Sequence, residues 1–242
     1  LYGEPAVLTL RQVTGADESH LVDIENQRLE EQAARAYVKL KQAASNNGIE
    51  VRIASGFRSL DRQLSIWNRK WRGELTLRDK NGEIINANAL SDTEKLWAIL
   101  HWSALPGGSR HHWGTDLDVY DPRPFEADKT LKLELVPGEY VNESGPCYEL
   151  WQWLTQHAHE YGFFFPYARY QGGVAQEPWH LSYRPISSQC HKLLSLEVLE
   201  GTISALDIEG KPCILDNLPT IKKHYIDTIT EDEGWTNIWC GY

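Results

Sequence analysis

The stretch Ser109-Arg-His-His-Trp-Gly-Thr-Asp-Leu-Asp-Val-Tyr-Asp121 crowds His111, His112, Asp116, Asp118 and Asp121 beside a glycine turn. Imidazole and carboxylate both suit Zn²⁺ at about 2.0 to 2.2 Å. A hydrolytic zinc site needs three protein ligands, a position left open for water, and a base next to that water. His111 lies in the turn, Asp118 follows seven residues on, and Glu177-Pro-Trp-His180 offers a second imidazole and another carboxylate. Glu177 and His180 are three apart, so an ideal strand puts them on opposite faces. Pro178 must bend or bulge the chain if both serve one site. Alone, each stretch also has an ordinary reading: His and Asp are common in surface loops, and a histidine beside an edge proline is often just a hydrogen-bonded core residue.

The elements that must position these groups follow from periodicity. Leu29, Ala33, Ala36, Tyr37, Leu40 and Ala44 recur at helical spacing before Asn47-Gly48, which predicts an amphipathic helix over 21–46. Ile49, Val51 and Ile53 alternate as a short half-buried strand leading to Ser55-Gly-Phe-Arg-Ser59. Ser59 caps a helix with Leu60, Leu64, Trp67 and Trp71 on one face, and residues 72–88 read as an exposed hairpin or loop. A further helix starts near Ser91 or Asp92, carries Leu96, Ile99 and Leu100, and ends at Pro106-Gly107-Gly108. From Thr115 the pattern has period two. Thr115, Leu117 and Val119 share one face, and Asp116 and Asp118 share the other. Leu150, Trp151, Leu154, Ala158 and Tyr161 mark a helix stopped by Gly162, and residues 163–168 read as a buried strand. Helical stretches alternate from Ser187 onward, and Thr230 to Trp235 reads as a solvated tail. The expected fold class is α+β, with helices packed on a small antiparallel sheet in one domain over 1–242.

Composition narrows the function. A net charge of -10 with no Lys/Arg cluster excludes a nucleic-acid backbone as partner, and no apolar run is long enough to span a bilayer. Ten Trp and eleven Tyr exceed what a core of this size needs, so some are expected to line a cleft. Cys147, Cys190, Cys213 and Cys240 form no CxxC pair, which argues against a thiolate zinc site. They leave three disulfide connectivities, or free thiols, open. The chain shows no Ser-x-x-Lys and no His-Glu-x-x-His. It opens on Leu1 without a basic-then-apolar stretch, consistent with a signal peptide already removed or with a trimmed start.

Ser109-x-His111-x-x-Gly114-x-x-x-Asp118, followed by Glu177-x-x-His180 and preceded by Ser55-Gly56-Phe57-Arg58-Ser59 with Gln63, resembles the M15 family of zinc D-alanyl-D-alanine carboxypeptidases, the VanY-like branch of the LAS metallopeptidases. The likeness spans roughly Val51 to Tyr183, with three motifs in order. It implies a LAS/hedgehog-like zinc peptidase domain in which His111, Asp118 and His180 bind Zn²⁺ and Glu177 is the catalytic base. It further implies that Arg58, Gln63 and Ser109 hold the substrate's terminal carboxylate or polarise its carbonyl. A guanidinium fork suits either task. His112 and Asp116 depart from commoner members, which carry uncharged residues there, so Asp116 is expected to orient a ligand and His112 to pack beside the site. Trp113 and Trp179 are expected to wall the cleft. The function implied is hydrolysis of the terminal D-alanine of peptidoglycan stem peptides or muropeptides, D,D or L,D, in a bacterial periplasm or at the wall. A wall endopeptidase, a D-Ala-D-Ala dipeptidase, and an inactive wall-binding module with structural zinc are the alternatives.

Overall fold

The period-two pattern around Asp118 is realised in the middle of a four-stranded antiparallel sheet, in a computed structural model that describes residues 8–231. Its strands are β1 (Arg52–Ser55), β2 (Asp116–Tyr120), β3 (Phe163–Phe164) and β4 (His180–Tyr183), in the spatial order β1-β2-β4-β3. Asp118 pairs with His180, Leu117 with Leu181, and Asp116 with Ser182. Alternation therefore gathers Asp116, Asp118, His180 and Ser182 on one face. The apolar face, through Leu117, Val119 and Leu181, packs against Tyr37 and Leu40 of the helix Glu31–Asn46 and Leu150 and Leu154 of the helix Tyr148–His157. Burying each such aliphatic side chain contributes about 1.5 to 3 kcal/mol. The α+β expectation holds.

A second core lies among the helices. Trp67 of Leu60–Trp71 and Leu96 and Ile99 of Asp92–Trp102 meet Ile203, Ile214 and Leu218 of the C-terminal helices Leu196–Ala205 and Lys211–Ile221. The helix starts are those the sequence announces: Ser59 accepts from the Arg62 N–H, and Ser91 forms a capping box with Glu94. Gly162, at φ 83°, ends the turn that extends Tyr148–His157. Leu77–Arg78 and Ile84–Ile85 pair as a hairpin within 72–88.

Four expectations need correction or a limit. The helix predicted over 21–46 begins only at Glu31; Leu21–Ile24 and Gln27–Glu30 form an antiparallel hairpin. Glu25 and Asn26 both take positive φ, 52° and 57°, as a two-residue hairpin turn of type I′ requires. The Glu25 carboxylate holds that turn by accepting from the Tyr37 hydroxyl and the Ile53 N–H, each at 3.0 Å, and by pairing with Lys41. The strand predicted over 163–168 is regular only at Phe163–Phe164, because Pro166 has no N–H for a ladder. Thr230, placed in a solvated tail, is buried and donates its N–H to Pro166 O at 2.7 Å; Asp232 to Trp235 lie outside the described residues. Cys147, Cys190 and Cys213 are free thiols, and Cys240 lies outside the described residues. Among the described residues, no helix is long and apolar enough to cross a membrane.

Candidate active site

Ser109 leads into a tight 3-10 turn, Arg110–Trp113, that closes on Gly114 at φ 73°. A Cβ on Gly114 would meet Leu21 Cδ2 at 2.5 Å and Glu30 N at 2.8 Å, so the turn needs glycine for space as well as for φ. The turn sets His111 over the polar face of the sheet. His111 Nε2 lies 3.4 Å from Asp118 Oδ2, and His180 Nδ1 lies 3.4 Å from Asp118 Oδ1. One ligand atom from each of the three buried residues falls within 4.8 Å of the others. His111 Nδ1 is 2.9 Å from Gly56 O, a pure acceptor, so Nδ1 carries the proton and Nε2 offers its lone pair. Asp116 Oδ2, 2.9 Å from His180 Nε2, fixes the second imidazole the other way round.

The donor set fits a divalent metal. Asp118 Oδ1 is buried without a hydrogen-bond partner, a costly state for a carboxylate that a cation relieves. Tetrahedral bonds of about 2.0 to 2.1 Å separate ligands by about 3.3 to 3.4 Å, which matches the two spacings. Burial opposes charge on His180, but hydrogen bonds to Asp116 and Glu177 and the Asp118 charge outweigh it and push the imidazole up to about 10. Three carboxylates thus converge on one ring, and a dication compensates them better than a proton.

Glu177 joins the site through a tight turn rather than a bulge. Glu177 O accepts from His180 N–H at 3.2 Å across Pro178-Trp179, with proline where such turns favour it, and Val119 N–H donates to Trp179 O at 3.0 Å. Glu177 Oε2 comes within 3.0 Å of His180 Nδ1.

Asp116 is fully buried, and both its carboxylate oxygens are hydrogen-bonded. Oδ2 accepts from Arg110 Nε at 2.7 Å, and Oδ1 accepts from Thr115 Oγ1 at 2.9 Å and Ser182 Oγ at 2.8 Å. Burial opposes its charge, yet Arg110 and His180 hold the carboxyl well below the usual range. Arg110 is buried as well, with its guanidinium 4.6 Å from the Trp113 ring. Asp116→Ala would leave that guanidinium unpaired, an expected cost of about 3 to 5 kcal/mol. A urea midpoint equal to wild type would refute the pairing as a source of stability. Zinc affinity is expected to fall about 10- to 100-fold with the lost imidazole acceptor, read by chelator competition.

The other candidates divide. His112 is buried and neutral: Nδ1–H donates to Arg58 O at 2.6 Å, Nε2 accepts from Gly107 N–H at 3.0 Å, and burial pulls it down to about 4. It ties the loops together and does not face the metal donors. Trp179 lines the cleft, but Trp113 does not; the 3-10 turn swings its ring into the helical core. Arg58 and Ser109 line the same cleft of about 430 Å³ with His111, Asp118, Glu177 and His180. Gln63, expected against substrate, is wholly buried behind Arg58. Its Oε1 accepts from Arg58 Nη1 at 2.9 Å, and its Nε2 donates to Ala104 O at 2.7 Å. Sequence reasoning missed Lys70, Trp102 and Tyr167 in the cleft. The Tyr167 ring meets His180 edge-on at 5.0 Å, and its only sequence signal is the aromatic run ahead of the EPWH turn.

Comparison with known proteins agrees with this geometry. A family model described as D-alanyl-D-alanine carboxypeptidase, VanY, matches residues 26–186. An uncharacterized protein of Haemophilus influenzae is 33% identical over 124 residues, covering 50% of this chain and 92% of its own length. A D-alanyl-D-alanine carboxypeptidase of Enterococcus faecalis is 27% identical over 164 residues, covering 65% of this chain and 50% of its own length. Among solved structures, the LdcB LD-carboxypeptidase shares the fold at a TM-score of 0.50 and 20% identity, over 90% of this chain and 82% of its own. With the family model spanning the sheet and all three site motifs, this chain belongs to the VanY-type D-alanyl-D-alanine carboxypeptidase family.

Proposed function

We propose that the protein is a zinc-dependent carboxypeptidase that removes the terminal D-alanine from peptidoglycan stem peptides outside the cytoplasm. The observation that carries this reading is the cleft itself. A three-donor set with an orphaned carboxylate oxygen and a neighbouring Glu177 lies at one end, and Arg58, which forms no ion pair among the described residues, lines the same space. His111, Asp118 and His180 would hold a zinc ion, which when bound would supply Lewis-acid polarisation of a carbonyl and acidification of water. Glu177 takes the proton of the attacking water as its oxygen bonds to the carbonyl carbon, and returns a proton to the amine as the C–N bond breaks. Arg58, oriented by Gln63 and Ser55, receives the substrate's terminal carboxylate, and Ser109 and Trp179 bound the cleft around it. A closed structural zinc site would need a fourth donor; among the described residues the cluster holds three.

Digestion of a stem pentapeptide, a tetrapeptide and a cross-linked dimer, followed by product mass analysis, tests the reading. Loss of a single alanine from a linear peptide is expected. Release of intact D-Ala-D-Ala, or cleavage of the cross-link alone, would replace it with the dipeptidase or endopeptidase reading. Amidating the substrate's C-terminus is expected to lower kcat/KM roughly ten-fold or more, since losing one partner of a desolvated charge pair costs about 2 to 5 kcal/mol. Arg58→Lys should restore little, because an ammonium lacks the fork. Equal turnover of free and amidated peptides by the wild type would count against carboxylate capture.

A further inference from the structure

Lys70 closes the helix Leu60–Trp71 as one of two basic residues in its last turn, a common arrangement at a helix C-terminus. Its surroundings set it apart. On the same surface Arg69 and Arg72 both reach Glu74, at 3.7 and 2.6 Å. Lys70 instead turns into the cleft, where Nζ donates to Ser103 Oγ at 2.6 Å, and it forms no ion pair among the described residues. Arg58 lines the same cleft and is held only by neutral acceptors, Gln63 Oε1 and Ser55 Oγ. Gln63 in turn anchors on Ala104 O, next to the Ser103 that holds Lys70, so both cations are moored to one short segment. Burial and the Arg58 charge push the Lys70 amine below its usual range, as expected of a cation in partly desolvated space beside a like charge. The cleft thus holds the carboxylates Asp118, Glu177 and Glu134 together with the cations Arg58, Lys70 and Arg78; the Asp118 and Glu177 charges act on Arg58, and the Arg58 charge acts on Lys70.

We infer that Lys70 is a second, specificity-determining cation of the substrate pocket: with Arg58 it receives a free carboxylate on the leaving-group side, making the cleft selective for peptides that end in an acid. This rests on the carboxypeptidase reading. Arg58 offers a planar fork and Lys70 a mobile point charge from another direction, so both can donate to one and the same carboxylate.

Titration of the zinc-loaded protein with N-acetyl-D-alanine and with its C-terminal amide tests the inference without turnover. The wild type is expected to prefer the acid by about ten-fold or more, the usual worth of a charge-assisted hydrogen bond. Lys70→Met should lose most of that preference while keeping wild-type zinc content, thermal midpoint and amide affinity. Lys70→Arg should retain it. Undiminished acid preference in Lys70→Met would overturn the inference, as would an equal loss of acid and amide binding with a lowered midpoint, which would mark a purely structural role. Acid-selective binding that depends on Lys70, with no alanine released from any stem peptide, would instead defeat the carboxypeptidase reading and leave the carboxylate site standing.

Discussion

Glu177→Ala is expected to fold, to hold zinc, and to lose about two to four orders of magnitude in kcat. The fold should survive because the turn that carries Glu177 is built from backbone: Glu177 N–H donates to Tyr167 O at 2.9 Å, and Glu177 O accepts from His180 N–H. Zinc should survive because the three-donor cluster does not include Glu177. What disappears is the carboxylate 3.0 Å from His180 Nδ1, and with it the group placed to move a proton between water and the leaving amine. Single-turnover hydrolysis with parallel zinc analysis separates these effects. Near wild-type turnover would shift the proton transfer elsewhere, and Asp116 offers no ready substitute, since both its oxygens already accept from Arg110, His180, Thr115 and Ser182.

Replacing a metal donor should act the opposite way. His111→Ala and His180→Ala are each expected to lose zinc after dialysis against a chelator. The affinity should fall by more than the roughly 10- to 100-fold that an outer hydrogen-bond partner costs, because one of three donors is gone. His112→Ala is the internal control. Its imidazole bridges Arg58 O and Gly107 N–H, so its removal should lower the thermal midpoint while zinc content stays at wild type. Elemental analysis of the three variants decides the assignment. Unchanged zinc in both His111→Ala and His180→Ala would defeat the ligand set, and zinc lost from His112→Ala alone would move the site by one residue.

Much of the site was legible because its logic is local. Alternation along residues 115–119 placed Asp116 and Asp118 on one face, as the sheet register has it, and the resemblance in the Ser109–Asp118 motif pointed to His111, whose Nε2 faces Asp118. Ser59, Ser91 and Gly162 announced helix ends that the backbone takes up. Where local signals competed, the reading failed. Leu29 fits the helical stripe that begins at Ala33, yet it lies in a strand, because a turn at Glu25-Asn26 is held by Tyr37, Lys41 and Ile53 from elsewhere in the chain. Trp113 and Trp179 flank ligands alike in sequence, but only the rotation of the 3-10 turn reveals that one joins the core and the other the cleft.

By itself, then, the sequence determined most of the element types, though not the hairpin ahead of Glu31, together with the common face of the carboxylates and a set of groups able to hold a metal. Those properties depend on backbone periodicity and side-chain chemistry over a few residues. Only the tertiary structure decided that Asp116 orients His180 across paired strands, that Gln63 stands behind Arg58 out of reach of a ligand, and that Lys70 has, among the described residues, no carboxylate such as its helical neighbours possess. Each of these is a contact, or a missing contact, between separate elements. Its energy depends on which charges the fold buries together, and no local pattern records that.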